Sequence, residues 1–262
     1  MMKEKILNAL TTECPWRDTL YWYDEIDSTN TEAKRLAKEV APHGTVLVAG
    51  RQTAGRGRLG RQFSSPEGMG VYLSVILRPG CPASELMHLT CGAAVAACRA
   101  VSAACGFMPQ VKWINDLVYS GKKLGGILTE LSVDSATGVT DYAIIGIGIN
   151  CCQKSDDFPE EIQGMACSLG INRQDMPPLF AALIQSLAEM RRNLLTEKAR
   201  TMAEFVQRCI TIGCEISVLH SLIKHQGITL NDIQPCRTTA KVGRTASRSE
   251  REVSTDSSLA LE

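Results

Sequence analysis

The chain lacks an excess of charge of either sign: 28 Lys and Arg stand against 28 Asp and Glu in 262 residues. It also lacks the marks of a metal or disulfide framework. There are four histidines, no Cys-x-x-Cys pair, and an odd count of eleven cysteines. Cys91, Cys98 and Cys105 recur every seven residues, one face of a helix, and so read as small buried hydrophobes. Long apolar runs are missing as well. The least polar stretch, Thr90 to Phe107, is mostly alanine and cysteine and is broken by Arg99, which suits a buried helix better than a membrane span. The first residues, Met1-Met-Lys-Glu-Lys-Ile6, contain no secretory apolar region, so a cytoplasmic location is the expectation. What remains is a globular chain, 44% hydrophobic, able to bury one substantial core and a small second domain.

Against this neutral background one segment stands out. Arg51-Gln-Thr-Ala-Gly-Arg-Gly-Arg-Leu-Gly-Arg61 holds four arginines, three glycines and no acidic side chain. The glycines allow close backbone approach, and the guanidinium groups of Arg56, Arg58 and Arg61 match carboxylate and phosphate oxygens. A merely solvated basic turn gains nothing from losing three spaced Cβ atoms, so the segment reads as an anion trap. Gly55-x-Gly57-x-x-Gly60 also satisfies the dinucleotide spacing, but that motif needs a helix starting at the glycines. Here the strand Thr45 to Ala49 is followed by a polar stretch and then by another strand, Val71 to Leu77, which argues against a dinucleotide fold.

The remaining periodicities predict an α+β domain with a largely antiparallel sheet flanked by helices. Helices are expected at Thr31 to Val40, with Thr29-x-x-Glu32 as a capping box, at Ala83 to Ala104, at Leu179 to Leu195 and at Lys198 to Cys209. Strands are expected at Gln110 to Ile114, Leu124 to Leu131 and Tyr142 to Asn150, with a turn at Ser120-Gly121. Three of these segments carry polar groups where a sheet prefers apolar ones. Lys112, Asn115 and Asp116 fall at or beside a strand end; Lys122 and Lys123 precede Gly125 and Gly126; and Gly146-Ile-Gly-Ile-Asn150 presents a bare glycine face beside a core-facing isoleucine one.

Together, Asp27 to Asn30, Gln52 to Arg61, Lys112 to Asp116, Lys123 to Leu128 and Gly146 to Asn150 resemble, in order and spacing, the motifs of the biotin–protein ligases, also called biotin–[acetyl-CoA-carboxylase] ligases. The resemblance spans roughly residues 20 to 215. It implies the mixed sheet shared with class II aminoacyl-tRNA synthetases, followed by a small SH3-like domain. It implies ATP and biotin as substrates with Mg²⁺, and a biotin carboxyl-carrier protein as partner, and it allows a homodimer. On this reading Ser28, Thr29, Asn30, Gln52, Gly55, Arg56, Gly57, Arg58, Lys123 and Gly126 bind biotin. Arg58, Arg61, Phe63, Lys112, Asn115 and Asn150 bind ATP. Lys123, Arg56 and Arg58 neutralise developing charge, and Asp116 orients or deprotonates the acceptor amine.

The resemblance also sets expectations where the chain departs from it. Phe63 stands where many members carry a nearby tryptophan, and Gly125 where alanine is common. From His220 onward no aromatic residue occurs, and Arg237 to Ser258 is rich in Arg, Ser and Thr. The expected division is therefore a catalytic domain at 1–210, a barrel remnant at 211–236 and a disordered tail at 237–262. Only 27 residues precede Ser28, fewer than the roughly 50 of an independent domain, so no DNA-binding module is expected. Glu250, Glu252 and Asp256 interrupt the tail arginines, which speaks against nucleic acid. Two rivals remain: a lipoate–protein ligase, which shares the fold and the adenylation chemistry but does not call for the arginine–glycine segment, and a non-catalytic biotin or nucleotide sensor, against which Lys123 and Asp116 speak.

Overall fold

A computed structural model describes residues 1–214. The chain divides into Met1–Cys209 and Ile210–Glu262, and the first unit is the subject here. The expected barrel remnant, from residue 215 onward, and the tail at 237–262 lie outside the described residues.

Seven strands form one sheet in the order β1-β2-β3-β7-β6-β5-β4. They are β1 (Leu20–Ile26), β2 (Thr45–Gln52), β3 (Gly70–Leu77), β4 (Gln110–Lys112), β5 (Asp116–Tyr119), β6 (Lys122–Val133) and β7 (Thr140–Asn150). Only β1 and β2 are parallel, and α2 (Thr29–Lys38) makes the crossover that such a pair requires. Every other neighbouring pair is antiparallel. The Ser120-Gly121 turn between β5 and β6 has positive φ at both residues, 49° and 77°, which suits the twist of a tight hairpin.

Alternation along the central strands sorts side chains onto two faces. Val71, Leu73, Val75 and Leu77 of β3 and Ala143, Ile145, Ile147 and Ile149 of β7 enter the main core. That face is covered by α1 (Met2–Ala9), α3 (Leu89–Cys105), α4 (Met176–Asn193) and α5 (Lys198–Arg208). Small residues let α3 pack tightly: Gly92 lies against Met190 of α4, and Ala93, Ala94, Ala96, Ala97 and Cys98 are fully buried. The segment Ala83–Cys105 is long and apolar enough to cross a membrane by composition alone, but 72% of its most apolar window is buried inside the protein. Its apolarity is that of a core helix, closed by Gly106 at φ 76°. Cys91 and Cys98 are buried on it, and Cys105 is half-buried.

The second face is only partly covered. Here α2 sets Ala33 and Ala37 on Leu47, Ile76 and Ile144. The helix begins two residues earlier than its apolar stripe suggests, with Ser28 as N-cap. The expected capping box is absent. Glu32 takes Arg35 at 2.6 and 2.8 Å instead, and Thr29 Oγ1 is engaged by Ser74 and Gln52. A guanidinium one turn away is a stronger partner for a carboxylate than a backbone amide is.

Candidate active site

Register builds the floor of the uncovered face. In one row Tyr72, Gly148, Gly126 and Asp116 stand side by side across β3, β7, β6 and β5. In the next, Leu47, Ser74, Gly146 and Leu128 do so across β2, β3, β7 and β6. The glycines have distinct reasons. A Cβ on Gly146 would fall 1.9 Å from Asn30 Oδ1, and one on Gly148 would fall 2.5 Å from the Phe63 ring. The bare face foreseen for β7 therefore already receives Asn30 and Phe63. Phe63 also meets Tyr72 edge-on, with ring centroids 6.5 Å apart. Gly126 is different, because a Cβ there would stand 3.7 Å from Asp116 Oδ1 and 3.8 Å from Lys123 Nζ, in ordinary contact. Gly125 points the other way, and its Cβ would strike the Gly148 carbonyl oxygen at 2.3 Å.

The arginine–glycine segment is a hairpin. Gln52 N donates to Ser65 O at 3.1 Å, Phe63 N to Gly55 O at 2.9 Å and Gly57 N to Arg61 O at 2.7 Å. Thr53 and Ala54 amides tie its base to Ile26 and Asp27 at 2.9 and 2.8 Å. Gly55 sits against the returning strand, where a Cβ would meet Phe63 O at 2.3 Å, and Leu59 and Gly60 at the tip both have positive φ. The guanidinium groups are already partnered. Arg51 meets Glu25 at 2.8 Å, on β1, and Arg56 meets Glu130 at 3.3 Å, on β6. Arg58 donates to Asn115 Oδ1 at 3.1 Å. Arg56 and Arg58 thus reach toward β6 and the β4–β5 turn.

The polar residues at the start of α2 form a connected chain. Gln52 Oε1 accepts from Thr29 N at 2.8 Å and Thr29 Oγ1 at 3.1 Å, while Gln52 Nε2 donates to Ser65 Oγ at 2.9 Å. Ser74 Oγ lies 2.7 Å from Thr29 Oγ1 and 2.6 Å from Asn30 Oδ1. Asn30 Nδ2 donates to Glu130 Oε2 at 3.0 Å. Ser28 differs from its neighbours: it is 1% exposed and its hydroxyl has no hydrogen-bond partner among the described residues. Such a group is expensive unless a ligand supplies the bond.

On the other side of Gly126, Lys123 Nζ pairs with Asp116 Oδ1 at 2.7 Å. Lys123 is fixed through its backbone, which donates to Met165 O at 2.7 Å and accepts from Cys167 N at 2.9 Å. Asn115 Nδ2 donates to Ile127 O at 3.1 Å, which holds its Oδ1 toward Arg58. Lys112 ends β4 in register with Asp116. Asn150 closes the far end of β7, nearly buried, with Nδ2 on Cys167 O at 3.0 Å and Oδ1 receiving Gln153 at 3.4 Å. Its edge is committed within the protein. Among the described residues no group of three or more His, Cys, Asp or Glu could hold a metal ion, so the side chains build no cage for the expected Mg²⁺.

Pattern reading passed over Ser74, Ser65 and Glu130. Ser74 is the lone polar residue of the fully buried β3, and Glu130 is a carboxylate within an otherwise largely apolar strand. Those exceptions to pattern were the available signal. Burial alone would push the Glu130 carboxyl up, but Lys34, Asn30 and Arg56 outweigh it and hold it below the usual carboxylate range.

Sheet, crossover helix and hairpin define a mixed-sheet α+β domain of the type seen in solved biotin protein ligases. The Aquifex aeolicus biotin protein ligase, in complex with biotin and ATP, superposes with a TM-score of 0.63 at 31% identity, covering 77% of this chain and 83% of that one. Residues 22–150 match the biotin/lipoate A/B protein ligase family. A biotin–[acetyl-CoA-carboxylase] ligase of Mycobacterium tuberculosis is 30% identical over 199 residues, 73% of this chain and 71% of that protein. The bifunctional ligase/repressor BirA of Bacillus spizizenii is 44% identical over 169 residues, 64% of this chain and 51% of that protein. The chain belongs to the biotin/lipoate A/B protein ligase family. It spans about half the length of the Bacillus relatives it matches.

Proposed function

We propose that the protein is an ATP-dependent biotin–protein ligase. In the first step a biotin carboxylate oxygen attacks the α-phosphorus of ATP, the bond to the β-phosphate oxygen breaks, and pyrophosphate leaves as biotinyl-5′-AMP forms. In the second, the ε-amine of a carrier lysine attacks the acyl carbon, the acyl–phosphate bond breaks, and AMP departs with the electron pair while the amine loses a proton.

One observation carries the reading: Lys123, Asp116 and, through Asn115, the hairpin's Arg58 converge beside the open Gly126. Transfer at phosphorus depends on positioning and charge neutralisation more than on covalent help. Lys123 and Arg58 suit that task, and Arg56 stands on the same hairpin. Asp116, next to Lys123, suits the carrier amine, either orienting it or taking its proton. Ser28, with its unanswered hydroxyl, beside Thr29 and Gln52, suits the polar ureido head of biotin. The Aquifex aeolicus neighbour, solved in complex with biotin and ATP, supports both substrates. Mg²⁺ would arrive with the ATP phosphates and add to the neutralisation of their charge.

The test is direct. The protein is incubated with Mg-ATP, a biotin carboxyl-carrier domain and either biotin or lipoate, and the carrier is weighed. A mass gain equal to biotinylation is expected with biotin alone. A gain only with lipoate assigns the chain to the other branch of the family, and no gain with measurable biotin binding leaves a sensor.

A further inference from the structure

Glu130 gathers donors from separate parts of the chain. Asn30 Nδ2 reaches it at 3.0 Å and Lys34 Nζ pairs with it, both from α2, while Arg56 Nη1 lies 3.3 Å away on the hairpin. The carboxylate is 19% exposed, so the contacts are largely shielded from bulk water. Through Asn30 it joins the chain Ser74, Thr29, Gln52 and Ser65. The hairpin is therefore held at two points by one polar network: at its base through Gln52 and Ser65, and near its tip through Arg56.

An acid beside a substrate-binding arginine would ordinarily blunt it, since the pair is neutral. Lys34 changes that balance. One carboxylate shared by Lys34 and Arg56 leaves one net positive charge, and among the described residues only one of the five guanidinium N–H donors of Arg56 is used. Arg56 is 40% exposed and keeps donors for an incoming anion.

We infer that Glu130 is a positioning residue that anchors Arg56 over β6, with Lys34 as the counter-charge that keeps Arg56 available to the substrate carboxylate. The inference rests on the ligase reading for the identity of that carboxylate. Glu130 itself touches no substrate; it acts through Arg56.

A double-mutant cycle on biotin binding, followed by calorimetry, tests it. Glu130→Gln is close in shape and removes the charge. It should raise the dissociation constant for biotin roughly 10-fold in the native background and less than about 2-fold where Arg56→Gln is already present. Equal losses in both backgrounds would overturn the role, because a general structural defect does not depend on Arg56. Rescue by Glu130→Asp to within a few-fold is expected, and thermal melts check that each variant is folded. A second readout needs no biotin: without ligand, trypsin should cut after Arg56 several-fold faster in Glu130→Gln than in the native protein. If the native protein binds no biotin, the ligase reading falls while the cutting ratio still decides on the anchor. Unchanged cutting after Arg56 would refute the anchor.

Discussion

At the scale of single residues, the site is a set of side chains whose bonds are made, with one exception. Ser28 caps α2 by position, yet its hydroxyl bonds to nothing among the described residues. Replacing an N-cap serine with alanine ordinarily costs about 1 kcal/mol, but that cost reflects a capping bond that is absent here. Ser28→Ala is therefore expected to leave the melting temperature unchanged or slightly raised, since a buried orphan hydroxyl is removed. Biotin affinity should fall roughly 10-fold. A drop in stability with affinity intact would reverse the assignment. Lys123→Gln should lower the rate of biotinyl-AMP formation on the order of 10²–10³, as for loss of one electrostatic contact to a developing charge. Pyrophosphate release under single-turnover conditions measures it, and an unaltered rate would remove Lys123 from the first step.

At the scale of elements, the neighbouring glycines of β6 have opposite functions. Gly125 lies against the β7 backbone, where a Cβ would stand 2.3 Å from Gly148 O; Gly126 opens on the Lys123–Asp116 pair, where it would stand at 3.7 Å or more. Although alanine is common at this position in the ligases the chain resembles, Gly125→Ala should here destabilise the domain by about 1–3 kcal/mol, because the Gly148 carbonyl must move. Gly126→Ala should fold normally and lose biotin affinity. Urea titration beside biotin calorimetry separates the two, and equal stability losses would contradict this division of labour. The hairpin at residues 52–65 is a backbone ladder closed by a tip, Leu59 and Gly60, of positive φ, and ligand binding is expected to tighten that tip. Amide exchange should be fastest near Leu59 and Gly60 and should slow with biotin and ATP together. Equal rates in both states would count against ordering of the hairpin by the two substrates.

At the scale of the whole domain, charge pairs join the layers. Arg99 of α3 donates to Glu204 Oε1 of α5 at 2.9 Å, and Arg208 meets the same carboxylate at 2.9 Å. Burial raises the Glu204 pKa, but the two arginines outweigh it and the net shift is downward, as at Glu130. The folded values lie below the unfolded value of about 4.3, so the stability these carboxylates contribute is present above that pH and is lost as pH falls through the folded values. Urea midpoints should fall only gently from pH 7 to 5, where burial holds the His43 imidazole below its usual value and opposes its charging, and decline more steeply below about 4.3. Glu204→Gln should lower the plateau and flatten the decline. A midpoint that rises on acidification would show that these pairs do not govern the acid limb.

Much of this protein was legible as pattern because its causes are local. The Arg51–Arg61 segment, the Gly146–Asn150 alternation and the apolar stripes of α2 and α4 are fixed by residue type and period, and the strand following the hairpin was enough to set aside a dinucleotide turn. The amino-acid sequence by itself determined the α+β class, the arginine–glycine segment between two strands and most of the residues now facing one side of the sheet. It could not decide partners, because partnership depends on which strands become neighbours. The capping box at Thr29 failed since Ser74 and Gln52, 45 and 23 positions away, claim the hydroxyl first. Glu130 went unnoticed because its meaning comes from donors 74 to 100 residues distant. Only the tertiary structure places Gly126 and Gly148 in one row, commits Asn150 inward, leaves Ser28 unanswered and sets Arg56 between a carboxylate and open space. Short-range sterics and hydrophobic period act along the chain, whereas hydrogen-bond competition and charge pairing are settled by whatever the folded sheet brings within 3 Å or so.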